Sequence, residues 1–398
     1  MSRRLVTAVL ATVTIATAAL TAVGTPAIGA PAVAGGSSGR SSGAVPRISA
    51  VHPMYDVGVH PGRAKAASPS ATGLKVFSRK VTDGASSFTY KMVGKNPFVV
   101  QATPSTTIRT PLVPVIVKFA DGSTWDPTVG STCDATSAVT RTLGSPMVKP
   151  VAWTFGGTSV GTGQYTDAFQ RASFSPQTAP TGLNPGYHVK LSYVLQPAIT
   201  VTVPAAKSAF FTAGCGNGKL AAVDIDWLDA YLQTTAVPAL AAAGFGPATF
   251  PLFLTNNVVE YIGTPAQCCV LGFHNATGAA PGGTTYGISE YDSTGAFGAG
   301  VSDVSILSHE VSEWVNDPFV DNATLPWGHI GQVSGCQSNL EVGDPLSGTS
   351  FKVTLSGKAY TLQEMAFVSW FYHQSPSTGV NGWYSNQGTF RSPAATCV

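Results

Sequence analysis

Charge is scarce in this chain of 398 residues. Only 11% are Asp, Glu, Lys or Arg, against about 25% in ordinary soluble domains. No basic patch stands out, which argues against nucleic acid or an anionic membrane surface as a partner. There is no C-x-x-C pair, so a sulfur-ligated zinc site is not expected. After the N-terminal stretch, no apolar run reaches the roughly 18 residues that a membrane span needs. Among the charged residues glutamate is rarest, with six in the chain: Glu260, Glu290, Glu310, Glu313, Glu341 and Glu364. Three of the six fall within Ser302–Pro345, SDVSILSHEVSEWVNDPFVDNATLPWGHIGQVSGCQSNLEVGDP. A chain this poor in Glu does not spread it for solubility, so that stretch is the first candidate for a site.

The first 34 residues read as a secretory signal: Arg3 and Arg4, an apolar run from Leu5 to Val23, and a small-x-small end at Ala32-Val33-Ala34. Its removal would take away two positive charges and no negative ones, moving the formal +2 to 0. The expectation is an exported protein, secreted and extracellular or wall-associated, free of the membrane after cleavage and monomeric. Six cysteines, Cys133, Cys215, Cys268, Cys269, Cys336 and Cys397, suit disulfides in such a compartment. The neighbours Cys268 and Cys269 are expected to reach different partners.

Residues 35–85, with GGSSGRSSGAVPR at their start, read as flexible linker or propeptide. From 86 to 215, short β-branched and aromatic runs separated by Pro, Gly and Asn predict a mostly-β region. Within it, 161–174 reads as a helical or turn insert whose Asp167 and Arg171 stand at i,i+4, the spacing of a surface ion pair. VDIDWLDAYLQ (223–233) and VPALAAAG (237–244) predict helix, with Asp224 as N-cap. Strands are expected at 249–256, 258–263, 269–274 and 284–292. The fold class expected is therefore α+β.

The spacing of Val304, Leu307, Val311 and Trp314 or Val315 predicts a helix over 302–316 with that face in the core and Ser302 or Ser305 as cap. His309 and Glu313, four apart, stack one turn apart on another face. Two ligands at that spacing can grip a metal ion, and the Glu beside the first, Glu310, can reach bound water as general base. Asp317-Pro318 ends the helix. The third ligand is expected at Glu341 or Asp344, with Asp317 as second choice. His274 and His329 are candidates for a fourth ligand or an oxyanion contact.

The segment resembles the active-site helix of the zincin metallopeptidases, with Glu313 where they carry a second His. SILSHEVSEWVNDPF followed by NLEVGDPL is also similar to the secreted exordium (phosphate-induced) group and its bacterial relatives, as is CCVLGFH before it. What the resemblance implies is a zincin-like region over 216–398: a small twisted sheet, a backing helix at 223–243, an edge strand at 284–291 over the cleft, and the active helix. It implies His309 and Glu313 as ligands, Glu310 as base, and Glu341 or Asp344 as third ligand. The metal implied is Zn²⁺. One His and two carboxylates form a harder donor set, which also admits Mn²⁺ or Ca²⁺. The activity implied is that of a secreted metal-dependent hydrolase, most simply a peptidase acting on a peptide or protein held against strand 284–291. The alternative is a non-catalytic extracellular or wall-associated binding protein braced by a structural metal. A third expectation, sugar stacking on Trp370, Tyr372, Trp383 and Tyr384, rests on aromatic content alone.

Overall fold

The computed structural model describes residues 54–57, 73–99, 103–175, 186–212, 215, 219–280 and 282–398. They belong to one unit, Val45–Val398. The signal expected over 1–34 and most of the linker expected over 35–85 lie outside the described residues. Within that linker range, however, Met54–Val57 and Val76–Asp83 are strands.

One mixed sheet of 11 strands organises the molecule. In spatial order its main path runs Ser208–Thr212, Lys219–Asp224, Val258–Tyr261, Cys268–Ala276, Thr285–Tyr291, Leu252–Asn256, Thr106–Phe119 and Thr124–Trp125. Met54–Val57 adds to Cys268–Ala276, and Val189–Leu195 and Ile199–Val203 add to Thr106–Phe119. These segments are strands because they are rich in β-branched and aromatic residues. Two central ones, Leu252–Asn256 and Cys268–Ala276, begin as continuous apolar runs, as suits strands covered on both faces.

This sheet overturns the expected fold class. The protein is mostly β, with 40% strand against 19% helix, and is not an α+β chain in which a β region precedes a zincin-like one. The strand Thr106–Phe119 pairs in parallel with Leu252–Asn256, so residues from both expected regions share one sheet. Turn residues mark where strands end, but they carry no information on which distant strands pair. Thr285–Tyr291 is also not an edge strand. It lies between Cys268–Ala276 and Leu252–Asn256, and all seven of its residues are buried.

Two helical segments cover the sheet. On one face Ile225–Tyr231, Leu232–Ala236 and Val237–Ala242 pack Ile225, Leu228, Leu232 and Val237 on Val115, Phe253, Phe273 and Ile288. Asp224 caps this segment by accepting from the Trp227 N–H at 3.0 Å. On the other face lies the helix Ser305–Asn316. Its Val311, Trp314 and Val315 pack with Leu252, Leu254 and Tyr291, and Ile306 packs with Leu220, Val259 and Leu271. Its N-cap is Val304, without a side-chain cap. Ser305 Oγ instead accepts from the Ser302 N–H, and Asp303 accepts from the Val304 N–H.

All 12 residues of that helix are buried, because the C-terminal segment closes over its outer side. Trp370, Tyr372 and Tyr384 belong to this layer and are buried in the core. Trp383 carries Arg391 on its ring. The sugar-stacking expectation is thereby withdrawn. The cysteines stand at disulfide distance as Cys133–Cys215, Cys268–Cys269 and Cys336–Cys397. The neighbours Cys268 and Cys269 thus pair with each other, across a cis peptide bond, and not with different partners.

Candidate metal centre

The helix Ser305–Asn316 lies close on the sheet, and two glycines permit the approach. A Cβ on Gly272 would stand 2.9 Å from Glu310 Cγ, and one on Gly343 would stand 2.4 Å from His309 Nδ1. Trp314 Nε1 pins the helix by donating to Thr285 Oγ1 at 2.9 Å. His309, Glu310 and Glu313 are thereby fixed against the sheet, and the turn after Val333–Asn339 brings Glu341 and Asp344 beside them. All of these side chains are buried.

His309 Nε2 is 3.0 Å from Glu313 Oε2 and 3.5 Å from Asp344 Oδ1. It is close to both carboxylates and lies in hydrogen-bond geometry with neither. Donor atoms bound at roughly 2.0–2.1 Å to one tetrahedral zinc stand roughly 3.3 Å from each other, a value that falls between these two separations. The other ring nitrogen, Nδ1, faces Gln363 Oε1 at 3.1 Å. Gln363 Nε2 donates to the Gly343 carbonyl at 2.7 Å, so Oε1 must accept and His309 Nδ1 must carry a proton. Supporting residues orient metal-binding histidines in this way.

His274 repeats the arrangement. It sits at the end of the central strand Cys268–Ala276, 3.4 Å by Nδ1 from Glu310 Oε2 and 3.9 Å from Glu313 Oε2. Its Nε2 lies 3.2 Å from the Asp317 carbonyl. That oxygen can only accept, so Nε2 carries the proton and Nδ1 turns a lone pair toward two carboxylates.

The carboxylates share a further pattern, in which one oxygen is held and the other is turned inward. Glu313 Oε1 accepts from the Gly343 N–H at 3.0 Å, leaving Oε2 for His309. Asp344 Oδ2 accepts from Gln337 Nε2 at 3.0 Å, leaving Oδ1 for His309. Glu341 Oε1 accepts from Asn339 Nδ2 at 3.2 Å, while its Oε2 has no hydrogen-bond partner. His309, Glu310 and Glu313 form one set of close donors, and His274, Glu313 and Glu341 form a second. Glu313 is common to both.

Electrostatics follow from burial. Burial, then the neighbouring carboxylates of Glu313 and Asp317, push Glu341 well above the usual range. Burial raises Asp344 to about 6 and Asp317 to about 8. Burial also lowers His274 to about 4. For His309 burial works downward, but the charge on Glu313 and its contacts with Asp344 and Glu313 outweigh it, and its pKa lies well above normal. For Glu313 burial works upward and the charge on His309 outweighs it. The cluster thus holds more acid than its two histidines can balance.

The structure brings together His309, Glu310, Glu313, Glu341, Asp344 and His274. Asp317 contributes through its backbone carbonyl, and its carboxylate accepts from the N–H groups of Asp321 and Asn322. His329 is exposed and stands beside the Cys336–Cys397 pair. Gly157–Gly161 reads G-x-S-x-G, a spacing that marks a serine nucleophile on a strand-to-helix turn. Here it belongs to the hairpin of Val151–Phe155 and Thr158–Gly163, and Ser159 is exposed.

Sequence reasoning missed four members: Gln337, Asn339, Gln363 and Tyr55. Tyr55 stacks on the His309 ring, with centroids 3.7 Å apart and planes 13° from parallel. Burial, and after it the charges of Glu310, Glu290, Glu313 and Asp344, hold its phenol neutral. No spacing rule connects Tyr55 to a helix some 250 residues later. No protein-family model, curated protein or solved structure matches the chain.

Proposed function

We propose that the chain is a secreted metal-dependent hydrolase, acting on peptide bonds. His309, Glu313 and Asp344 would hold a divalent ion, with Glu341 and His274 at its flank. Zn²⁺ is the ion of choice on donor spacing; Mn²⁺ or Ca²⁺ suit the carboxylates. One observation carries this reading. Glu313, Asp344 and Glu341 each have one oxygen fixed by an N–H donor and the other turned inward, beside the ring nitrogens of two oriented histidines. Buried like charges and lone pairs collapse together only around a cation or a proton.

A bound ion would polarise the scissile carbonyl and acidify a water. The remaining work falls to the chain. Glu310, on the same helical turn as His309, takes the proton of that water and delivers it to the departing amine. His274 Nδ1 lies 3.4 Å from Glu310 Oε2, close enough to share the proton that Glu310 takes up. Glu310→Gln should retain the metal, measured by plasma mass spectrometry, and lower peptide hydrolysis on the order of 10²–10⁴-fold. Undiminished hydrolysis in that variant would sink the assignment.

A second reading has one observation in its favour. His309 and Glu310 are completely buried, as the ligands of a purely bracing metal would be. On that reading the protein is a non-catalytic extracellular or wall-associated binder, and chelation would lower its melting temperature with no activity to lose.

A further inference from the structure

The burial of the centre has an identifiable cause. The strand Met54–Val57 lies parallel along Cys268–Ala276, with Met54 opposite Val270 and Asp56 opposite Phe273. It carries Tyr55 onto His309. Away from the sheet, the side chain of Gln332 holds this strand. Gln332 accepts from the Tyr55 N–H through Oε1 at 2.9 Å and donates through Nε2 to the Tyr55 carbonyl at 2.8 Å. Ser347 Oγ steadies Gln332 by donating to the same Oε1 at 2.9 Å. A side-chain amide that reads both backbone groups of a residue does so whatever that residue is. The Tyr55 hydroxyl is buried and has no hydrogen-bond partner.

From these contacts we infer that the Cys268–Ala276 edge, Gln332 and the open face of His309 form a groove for an extended polypeptide, and that Met54–Val57 is its in-chain occupant. The groove takes its guest by strand addition. It reads the backbone through the sheet and Gln332, and it places an aromatic side chain flat on the His309 ring. The strand Thr285–Tyr291 cannot serve, because both of its edges are paired. The inference rests on the hydrolase reading only for what happens to the guest, since the groove itself is a binding site. While Met54–Val57 is in place, the Tyr55 ring covers this face of His309.

The test uses the full chain with a site-specific protease sequence replacing residues 62–68, cut after folding and passed through a sizing column. The probe is a fluorescent peptide covering residues 51–59, VHPMYDVGV. The expected result is that the N-terminal fragment leaves, the cut chain keeps its thermal transition, and the peptide binds saturably. The same peptide with Tyr55→Ala should bind about tenfold more weakly or worse, from the lost aromatic burial. Gln332→Ala in the cut chain should weaken binding of both peptides. Retention of the fragment after cutting, loss of the folded transition, or equal binding of both peptides would each show that Met54–Val57 is a permanent strand and overturn the inference. Binding is read without turnover. Binding without hydrolysis of any peptide would therefore end the hydrolase reading alone. Hydrolysis of peptides at the same rate by cut and uncut chains would end the groove inference alone.

Discussion

The helices Tyr165–Ser173 and Ser305–Asn316 are both buried along their whole length, and both carry carboxylates. In the first, Asp167 is answered at each oxygen: Oδ1 accepts from the Val189 N–H at 2.8 Å, and His188 Nδ1 stands 2.7 Å from Oδ2. In the second, Glu313 has an answer for one oxygen and turns the other toward His309. Burial alone therefore does not mark a site. A buried charge whose hydrogen-bonding capacity is filled is a structural joint. One that is half filled, beside others in the same condition, leaves room for a cation.

The sharpest way to separate the two helices is to remove one acid from each. Glu313→Ala should cut metal affinity on the order of a hundredfold or more, above the 10–100-fold typical of a residue that only supports a ligand. Asp167→Ala should leave metal per chain unchanged and cost roughly 2–4 kcal/mol of stability, because it strands the Val189 N–H and His188 without partners. Metal analysis and thermal melts on both variants decide the matter. Equal metal content in the two would erase the distinction.

Chelation gives the next largest effect. At a free metal concentration of a hundred times Kd, binding stabilises the folded chain by about 2.7 kcal/mol, several degrees in melting temperature for a chain of this size. Glu313→Ala should already have lost that increment, so chelator should not move it further. Asp167→Ala, starting lower, should still respond in full.

A smaller effect tests the supports. Gln363 holds the His309 Nδ1 proton, with its own orientation set by the Gly343 carbonyl. Gln363→Leu keeps the volume and removes that contact. Metal affinity, measured by competition with a chromogenic chelator, should fall about 10–100-fold with the helix intact. No change would mean that the imidazole is oriented by packing alone, through the Tyr55 ring.

Much of the centre could be read from the chain because it is local. The i,i+4 spacing of His309 and Glu313 and the apolar positions Leu307, Val311 and Trp314 belong to one helix, and helical periodicity is written over a dozen residues. Glu341 and Asp344 stood out because glutamate is so rare here. The misreadings concern distant pairing. Asp167 and Arg171 have the spacing of a surface pair, yet the helix between them is covered on all sides, and Asp167 pairs with His188 across the chain. The alternation in TTYGISEYD suggests one wet face, and no periodicity rule shows that two further strands flank it. Tyr55, on the large sheet, and Gln363, at the end of the separate hairpin strand Lys358–Gln363, reach His309 from opposite ends of the sequence, and only the tertiary fold brings them there.

The last and smallest effect concerns pH in the metal-free protein. Asp344 titrates at about 6 and Asp317 at about 8 in the fold, because both are buried, against an ordinary value of 3.8. Between the ordinary and the raised value the folded chain holds protons that the unfolded chain has released. Stability therefore falls as pH rises through that window. His309, also raised, acts in the same direction above its ordinary value. His274, lowered to about 4, acts in the opposite direction, favouring the fold as pH rises from 4 toward 6.5. The opposing contributions overlap below pH 6.5, so the clean window is roughly 6.5 to 8, where the groups that burial and neighbouring charge raise, Asp317, His309, Glu341 and Glu290, all act in one direction. There the melting temperature of the chelated protein should decline with rising pH. A bound cation displaces protons from the cluster and should hold the melting temperature of the loaded protein level. The gap between loaded and chelated curves should widen from pH 6.5 to 8. Parallel curves would mean that the acids are balanced by something other than protons, and that the contrast between the two helices lies in packing rather than in charge.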